Sequence, residues 1–367
     1  MHELVSREAS PWAARTLRWL LVVVLVGWSA TGCDRIQSFL IGRMASRALT
    51  GDRNDLLDDG SLHVVLCGTG SPLADPQRVS ACTAVLAGGN FVLVDAGPGA
   101  ARNLALERLP RHRLEAILVT HLHSDHIGEI GEAVVQSWIA GRTTPLVVYG
   151  PPGIEQVVGG LRQAYALDVG YRVAHHGTEA MPAAAGVPVA KTVALPGPGE
   201  TALVFEKDGL RVVAFAVDHE PISPAYGYRF DYKGRSVVVS GDTSKSANVI
   251  RQAQGADLLV HEALAKQMIE PVAAYARANG LARWAKLASD VVDYHTSPVE
   301  AAEVAKAANV RMLALTHIVP ALPNVIARRM FMRGVSDAWS GEVILGRDGM
   351  MFTLPPNTQT IDVEDLS

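Results

Sequence analysis

Three histidines and an aspartate lie within six residues of one another, at His121, His123, Asp125 and His126. The apolar run 116–119 that precedes them predicts a β-strand. Because alternate side chains of an extended segment share a face, His121 and His123 should point the same way. Imidazole nitrogen and carboxylate oxygen are the ligands that zinc prefers when thiolates are absent. The segment therefore predicts a metal site at the end of a strand.

The His-x-His-x-Asp-His pattern at 121–126 resembles the signature of the metallo-β-lactamase superfamily. In that family one metal ion takes the first two histidines, and a second takes the aspartate and the third histidine. Two ions need further ligands, so the chain should supply at least two more histidines and a bridging carboxylate downstream. The resemblance also implies an α/β fold, a four-layer αββα sandwich with the metal ions at one edge.

Candidate site residues do follow downstream, each just past the carboxyl end of an apolar, strand-like run, where α/β folds build their sites. They are His219, Asp242, the pair His261 and Glu262, and His317. Their order resembles the tRNase Z-like branch of the superfamily, with Gly241-Asp242-Thr243 as its bridging aspartate motif. His295-Thr296-Ser297 resembles the His-Ser-Thr motif of that branch with the last two residues exchanged.

The resemblance assigns a role to each of these side chains. One metal ion is expected on His121, His123 and His219, and the other on Asp125, His126 and His317, with Asp242 bridging both. Two zinc ions are expected, with Mn²⁺ or Fe²⁺ as alternatives, and they would activate a water and clamp the attacked ester. Asp125, His295 and Glu262 are the expected catalytic residues, with Glu262 orienting His295 to protonate the leaving oxygen.

The local sequence also predicts a rigid position for His295. Ser297-Pro298-Val299-Glu300 combines a capping box with a proline at the first helical position, so a helix should begin there. A histidine that projects from a fixed helix start is a better proton donor than one on a mobile loop.

Residues 171–198 are interpreted as a lid or pocket wall, since the ligand set closes without them. Arg172, His175 and His176 from this stretch, together with Tyr228, are the expected substrate-binding residues. Cys67 and Cys82 could form a disulfide or remain buried thiols, and the sequence leaves both possibilities open.

Residues 1–32 are interpreted as a lipoprotein signal peptide, because three arginines precede a short apolar run that ends in Ala30-Thr31-Gly32-Cys33. An uncleaved anchor is the alternative. Cys33 would carry the lipid, and Asp34 resembles a signal for retention in the inner membrane. Residues 33–60 would form a tether, 61–354 the hydrolase domain and 355–367 a polar tail. The expected location is therefore outside the cytoplasm, anchored to the inner membrane or at the cell surface.

The charge balance argues against a nucleic-acid partner. The net charge is −4 for the whole chain and becomes −5 when residues 1–32 are removed, with no clustered stripe of Lys and Arg. Only 23 positions separate His219 from Asp242, too few for the tRNA-gripping arm of bacterial tRNA-processing relatives. The expected substrate is therefore a small molecule.

These observations predict a binuclear metal-dependent hydrolase of a small ester, in the first instance a phosphodiester or a sulfate ester. A lactonase or another carboxylic-ester hydrolase is the second interpretation, and a non-enzymatic metal-binding lipoprotein is the third. Aspartate at 242, where the true metallo-β-lactamases use cysteine, argues against a β-lactam substrate. The sequence leaves the oligomeric state open, with a homodimer as a plausible arrangement.

Overall fold

A computed structural model describes residues 34–49, 51–195, 197 and 199–366. The chain divides into two compact units, Met1–Asp52 and Arg53–Ser367. Helix α1 (Asp34–Leu49) belongs to the first unit and covers part of the predicted tether. The predicted signal peptide, residues 1–32, and Cys33 lie outside the described residues. Among the residues that are described, no helix is long and apolar enough to span a membrane.

The second unit contains two mixed sheets. The first sheet has the strand order β15-β14-β1-β2-β3-β4-β5-β6, and the second has the order β13-β12-β11-β10-β9-β8-β7. The strands of the first sheet are β1 Leu62–Gly68, β2 Cys82–Ala87, β3 Asn90–Val94, β4 Leu114–Leu118, β5 Val147–Gly150, β6 Val189–Thr192, β14 Met350–Leu354 and β15 Asp362–Asp365. Those of the second are β7 Thr201–Lys207, β8 Leu210–Val217, β9 Ala225–Tyr232, β10 Arg235–Val239, β11 Leu258–Leu264, β12 Met312–Val319 and β13 Glu342–Leu345.

Helices connect these strands. They are α2 Asp55–Asp58, α3 Ala100–Leu106, α4 Ser124–Ile127, α5 Ile130–Ile139, α6 Ile154–Ala180, α7 Ala247–Gln252, α8 Lys266–Ala278, α9 Ala282–Asp290, α10 Pro298–Ala307, α11 Val325–Phe331 and α12 Val335–Ala338. Short 3₁₀ turns occur at Arg111–Arg113 and Ala183–Gly186.

Three apolar clusters hold four layers together. Alternate strand side chains, such as Val64 of β1 and Phe230 of β9, meet in one buried cluster between the two sheets. The intervening residues of the first sheet, such as Val65, pack under α3, α5 and α6. The outer face of the second sheet packs under α7, α10 and α11. The predicted αββα sandwich is confirmed.

The compact unit is larger than the predicted domain of 61–354. Leu56 and Leu57 of α2 are buried in the outer cluster of the first sheet. Strand β15, within the predicted polar tail, pairs antiparallel with β14 from Asp362 to Asp365. The chain ends of this unit are therefore part of its packing and hydrogen bonding.

Cys67 and Cys82 form a disulfide between the adjacent strands β1 and β2, with 5.1 Å between their Cα atoms. This settles the alternative that the sequence left open. The bridge closes the loop 68–81. A cross-link over a loop of this length reduces the conformational entropy of the unfolded chain and so stabilises the fold by about 3 kcal/mol.

Helix α6 differs from the sequence interpretation, which placed residues 171–198 in a lid or pocket wall. Its helical course reaches Ala180, with a kink at Gly177, whose φ 82° and ψ 158° are non-helical. Val169 and Val173 pack against the buried Trp138, Met181 and Ala185, and this packing extends the helix. Residues 171–180 are therefore helical and do not form an irregular lid.

One buried carboxyl group makes the stability of the fold depend on pH. Glu107 is 5% exposed, and one of its carboxyl oxygens has no hydrogen-bond partner among the described residues. Burial, with the carboxylates of Asp348 and Asp365 nearby, raises the pKa of Glu107 to about 8. The folded chain therefore holds a proton that the unfolded chain releases near pH 4.5.

We expect Glu107→Gln to flatten this pH dependence. The contribution of Glu107 to the stability of the natural chain is fully present below pH 4.5 and is lost as the pH rises through about 8, because only the unfolded state ionises freely over this range. The variant should match the natural chain near pH 5 and be more stable near pH 8.5, as measured by urea unfolding at both values. Glu155→Gln, at an exposed carboxylate of α6, is the control and should change nothing. An equal change in the free energy of unfolding at both pH values would show that Glu107 does not cause the pH dependence.

Candidate metal centre

The first four candidate ligands follow strand β4. His121 and His123 lie in the segment directly after the strand, and Asp125 and His126 lie in the single turn of α4. His121, Asp125 and His126 are buried, whereas His123 is half-buried. The Nε2 atom of His121 and the Nδ1 atom of His123 are 2.8 Å apart. The two imidazoles therefore converge, as the alternation of a strand predicts.

Asp95, just past β3, fixes this segment. Its carboxylate accepts hydrogen bonds from the Thr120 amide and hydroxyl, each at 2.8 Å. The Nδ1 atom of His126 also lies 2.8 Å from the carboxylate. The other ring nitrogen of His126 is thereby turned towards the centre. Asp95 itself has φ 60°, a left-handed conformation that is costly for a residue with a side chain.

The remaining ligand candidates come from the second sheet. His219 follows β8, and Asp242 follows β10 after Gly241. Gly241 has φ 63°, and a Cβ atom there would lie 2.4 Å from the Tyr226 carbonyl oxygen. Only glycine fits this close approach, and it directs Asp242 into the centre.

His317 lies inside strand β12, where the sequence predicted it just past the strand end. The register between β11 and β12 shifts at this point, so that Thr316 pairs with Glu262 and Ile318 with Ala263. His317 is the extra residue of this irregularity and has φ 48°. Such a bulge re-aims a side chain, and here it brings the imidazole to the centre.

The structure brings all seven predicted ligands together. His121, His123 and His219 form one group whose ligand atoms lie within 4.8 Å of one another, and Asp125, His126 and His317 form a second. Asp242 belongs to groups with His121 and His126 and with His317. Its Oδ2 atom lies 3.3 Å from the Nε2 atoms of both His126 and His317, and 3.9 Å from that of His121. Asp242 is therefore in the position of a shared ligand.

Burial and mutual contacts set the charge of these groups. Burial lowers the pKa of His121 and of His219, which favours the neutral imidazole that binds metal. Burial opposes ionisation of Asp242, but His317, His126 and His121 outweigh it and hold the pKa of that carboxyl well below its usual range. Asp125 is likewise kept ionised against burial by hydrogen bonds with His126 and His317. The centre thus presents anionic carboxylates and, at His121 and His219, neutral imidazoles, whereas Asp242 and Asp95 outweigh burial and raise the pKa of His126.

The donor set fits a metal pair. The Nε2 atoms of His126 and His219 are buried and lack a hydrogen-bond partner among the described residues. Buried polar atoms are normally satisfied, so these two unpartnered nitrogens, one in each ligand group, fit the binding of metal ions. Imidazoles with carboxylates, and no thiolate, suit zinc and similar divalent ions.

His295 and Glu262 form the expected pair beside the centre. The Nδ1 atom of His295 lies 3.0 Å from Oε1 of Glu262, and both side chains are buried. The amides of Thr296 and Thr243 donate to the same oxygen at 2.9 and 3.3 Å, which fixes the carboxylate. Burial works against charging His295, but Glu262 prevails and raises the pKa of the imidazole.

The predicted helix start behind His295 is confirmed. Ser297 accepts from the Glu300 amide, and Glu300 accepts from the Ser297 amide, with Pro298 in the first turn of α10. The sequence did not foresee that His295 also falls within a possible ligand group with Asp242 and His317. No local sequence signal distinguishes a proton donor from a ligand at that position.

Asp348 is a residue that the sequence analysis missed. Its carboxylate accepts from the Thr69 amide and hydroxyl and from the Val79 amide, at 2.7–2.9 Å. It thereby holds the loop after β1 against the centre, where the Thr69 carbonyl accepts from the amide of Ile318, next to His317. Because Asp348 lies 279 residues from Thr69 along the chain, no spacing pattern could indicate this contact.

The predicted substrate-binding residues are not brought together. Arg172, His175 and His176 lie on α6, where Arg172 Nε is 2.7 Å from Asp168 and both histidines are exposed. Tyr228 is fully buried between the sheets and donates its hydroxyl to the Val119 carbonyl at 2.7 Å. Tyr228 therefore supports strand β4, and the prediction that it contacts substrate is corrected.

Residues 90–318, more than half of the chain, match the family described as the β-lactamase superfamily domain. The chain belongs to the metallo-β-lactamase superfamily. It is 38% identical over 264 residues to a ribonuclease Z of Mycolicibacterium paratuberculosis, covering 71% of this chain and 87% of the relative. It is 34% identical over 298 residues to a ribonuclease Z of Mycobacterium marinum, covering 78% and 96% of the two chains.

Human tRNase Z, short form, has a similar fold, with a TM-score of 0.57 at 22% identity over 80% of this chain and 99% of that one. Within the superfamily the chain is therefore ribonuclease Z-like, and it is a metal-dependent hydrolase acting on ester bonds. The interpretation as a non-enzymatic metal-binding lipoprotein is therefore wrong.

The prediction of a small ester substrate without a nucleic-acid partner is wrong. The relatives that cover 71% and 78% of the chain are named ribonuclease Z, and sulfate-ester or lactone hydrolysis has no support among them. The region between His219 and Asp242 does lack an inserted arm, since β9 and β10 fill it. The inference from net charge failed because total charge does not describe how charges are distributed over a surface.

The prediction of an exported lipoprotein, anchored through Cys33 to the inner membrane or at the cell surface, is also contradicted. That prediction assumed a small substrate outside the cytoplasm, whereas the relatives are named ribonuclease Z. The pattern on which it rested, a few arginines before a short apolar run, is weak because such runs also occur in other contexts.

We expect Asp242→Ala to lose both metal ions together, because this carboxylate lies with His121 of one ligand group and with His126 and His317 of the other. His317→Ala should lose mainly one equivalent. Metal analysis of the purified variants by mass spectrometry measures this directly. Asp218→Ala, at an exposed carboxylate next to His219, is the control and should retain both ions. Two equivalents of metal in Asp242→Ala would refute the shared site.

Proposed function

We propose that this protein is a ribonuclease Z-type endonuclease that hydrolyses a phosphodiester bond of precursor tRNA, with two zinc ions at the centre. The observation that carries the proposal is the pair of ligand groups joined by Asp242, in a chain 38% identical to a ribonuclease Z. The His295–Glu262 pair beside this centre supplies the remaining group that ester hydrolysis requires.

The residues assigned to the metal ions are those of the two groups. His121, His123 and His219 would hold one ion, Asp125, His126 and His317 the other, and Asp242 both. When bound, such ions neutralise the charge of a phosphodiester and lower the pKa of water towards neutrality. His295 remains the proposed proton donor, although it lies close enough to be an alternative ligand.

His295 is suited to deliver a proton to the leaving oxygen. Its Nδ1 atom is engaged by Glu262, so the proton for transfer must reside on Nε2. The raised pKa of the imidazole keeps that proton available at neutral pH. Because Thr243 and Thr296 also fix Glu262, the ring has one orientation and little freedom to turn away. Asp125 contributes through its fixed, ionised carboxylate next to His317.

The exposed residues of α6 have a different place in this proposal. His175 and His176 are exposed to solvent, and Arg172 is half-buried and paired with Asp168 of the same helix. A large substrate whose body extends beyond the scissile bond could reach them, whereas a small ester held at the centre would not.

The purified, zinc-loaded protein should release the 3′ trailer from a precursor tRNA. Chelation should abolish cleavage and zinc should restore it, because the proposed activity depends on the metal ions that the two ligand groups would hold. Gel analysis of end-labelled RNA measures the product, with Asp242→Ala as the inactive reference. Intact precursor after incubation with the zinc-loaded chain would refute the proposal.

His295→Ala should retain its metal and slow the cleavage of precursor tRNA by about 10²–10⁴-fold, the usual contribution of a general acid. The loss should be much smaller for bis(p-nitrophenyl) phosphate, because nitrophenolate leaves without a proton. Rates for both substrates and the metal content test this. Glu262→Gln, which keeps the shape but not the charge, should show the same pattern more weakly.

Equal losses for both substrates would show that His295 positions the substrate. Loss of one metal equivalent would instead identify it as a ligand.

A further inference from the structure

The segment after the last ligand carries a local excess of positive charge. Arg328, Arg329 and Arg333 lie on or just after α11, and residues 322–335 contain no acidic side chain. Arg347 follows strand β13 nearby and lines a cavity together with Arg328. We call these four residues the arginine face. Its charge contrasts with the net charge of −4 for the whole chain.

Three members of the arginine face are exposed and without a counter-ion. Among the described residues, Arg328, Arg329 and Arg333 have no ion pair and no side-chain hydrogen bond. Other exposed cations of the chain do have partners, such as Lys245 with Glu303 at 2.6 Å. Arg347 pairs with Asp365 at 2.9 Å, with both side chains about half exposed. Free guanidinium groups close together repel one another and favour an anionic ligand.

A cavity of about 310 Å³ opens beneath this face. It is lined by Gln77, Arg78, Arg328, Arg347, Asp348 and Asp365. Arg78 is 7% exposed and donates to the Gly346 carbonyl at 2.9 Å, while its Nε atom has no partner among the residues described. The carboxylate of Asp348 is occupied by Thr69 and Val79. The cavity is therefore lined by three guanidinium groups and two carboxylates, and of these carboxylates Asp348 is engaged by Thr69 and Val79 and Asp365 by Arg347.

The arginine face is linked to the metal centre by the course of the chain and by hydrogen bonds between neighbouring segments. Helix α11 begins at Val325, eight residues after His317. The loop that carries Arg78 is held beside His317 by the hydrogen bond from the Ile318 amide to the Thr69 carbonyl. Gln267 of α8 donates to the Met330 carbonyl of α11 at 3.3 Å, which joins α11 to the helix that follows the Glu262 strand.

We propose that the arginine face binds phosphate groups of the RNA substrate outside the scissile bond. The proposal rests on the function proposed above and adds where the RNA backbone lies. Guanidinium groups match phosphate oxygens in geometry and stay charged at all relevant pH values. A local cluster of cations that neutralises phosphates supplies much of the affinity for nucleic acid, even in a chain of negative net charge.

The test compares Arg328→Ala/Arg329→Ala with Arg211→Ala/Lys233→Ala. The control pair also removes two exposed charges, but at the opposite ends of the strands from the metal centre. We expect kcat/KM for precursor tRNA to fall about 10- to 50-fold in the first variant at 0.1 M salt. The slope of log kcat/KM against log salt should become shallower by about 1.4, since each single-strand phosphate contact contributes about 0.7. The control should behave as the natural chain does.

Hydrolysis of bis(p-nitrophenyl) phosphate should be unchanged in both variants, which shows that the fold and the centre are intact. If the natural chain cleaves precursor tRNA and the two variants lose activity equally, the arginine face is not the RNA site. If the natural chain does not cleave precursor tRNA, the proposed function fails and this inference with it. If Arg328→Ala/Arg329→Ala cleaves precursor tRNA as well as the natural chain but no longer binds phosphatidylglycerol vesicles, the proposal is overturned. The arginine face is then a membrane-binding surface.

Discussion

The buried carboxylate of Asp242 among histidines is the interaction on which the arrangement of the site depends. Its side chain is 3% exposed and lies within 3.9 Å of three imidazoles. An isolated buried carboxylate would be strongly destabilising, so the fold has to deliver compensating groups to the same point. Those groups come from both sheets, which means that the sandwich must be assembled before the carboxylate is compensated.

At the ends of the two sheets, these compensating groups are positioned by backbone conformations that are normally unfavourable. Asp95 and His317 have left-handed backbones, and Gly241 approaches the Tyr226 carbonyl at a distance that excludes a side chain. Each lies between residues whose hydrogen bonds are fixed by strands or by neighbouring loops, so the surrounding structure holds it in place. Unfavourable backbone conformations thus occur where ligands must be aimed, and the regular core provides the stability that tolerates them.

Much of the metal centre could be predicted from the sequence, because its ligands follow apolar runs and have a distinctive spacing. The strand ends before His121, His219 and Asp242 were predicted, as was the capping box behind His295. The bulge at His317 could not be foreseen, since it arises from pairing between β11 and β12. The helical course of the predicted lid could not be foreseen, because Val169 and Val173 pack against Trp138, which is distant in the sequence.

The substrate was predicted wrongly for a related physical reason. A count of charges treats the surface as uniform, yet Coulomb interactions are local, with a screening length of about 8–10 Å at physiological salt. Within that distance a bound phosphate senses the few charges beside it, and distant carboxylates contribute little. Folding decides which charges these are. Arg328 and Arg347 are 19 residues apart in the sequence, but they line one cavity with Arg78 from the other end of the chain. A chain with a net charge of −4 can therefore present a cationic surface next to its metal centre.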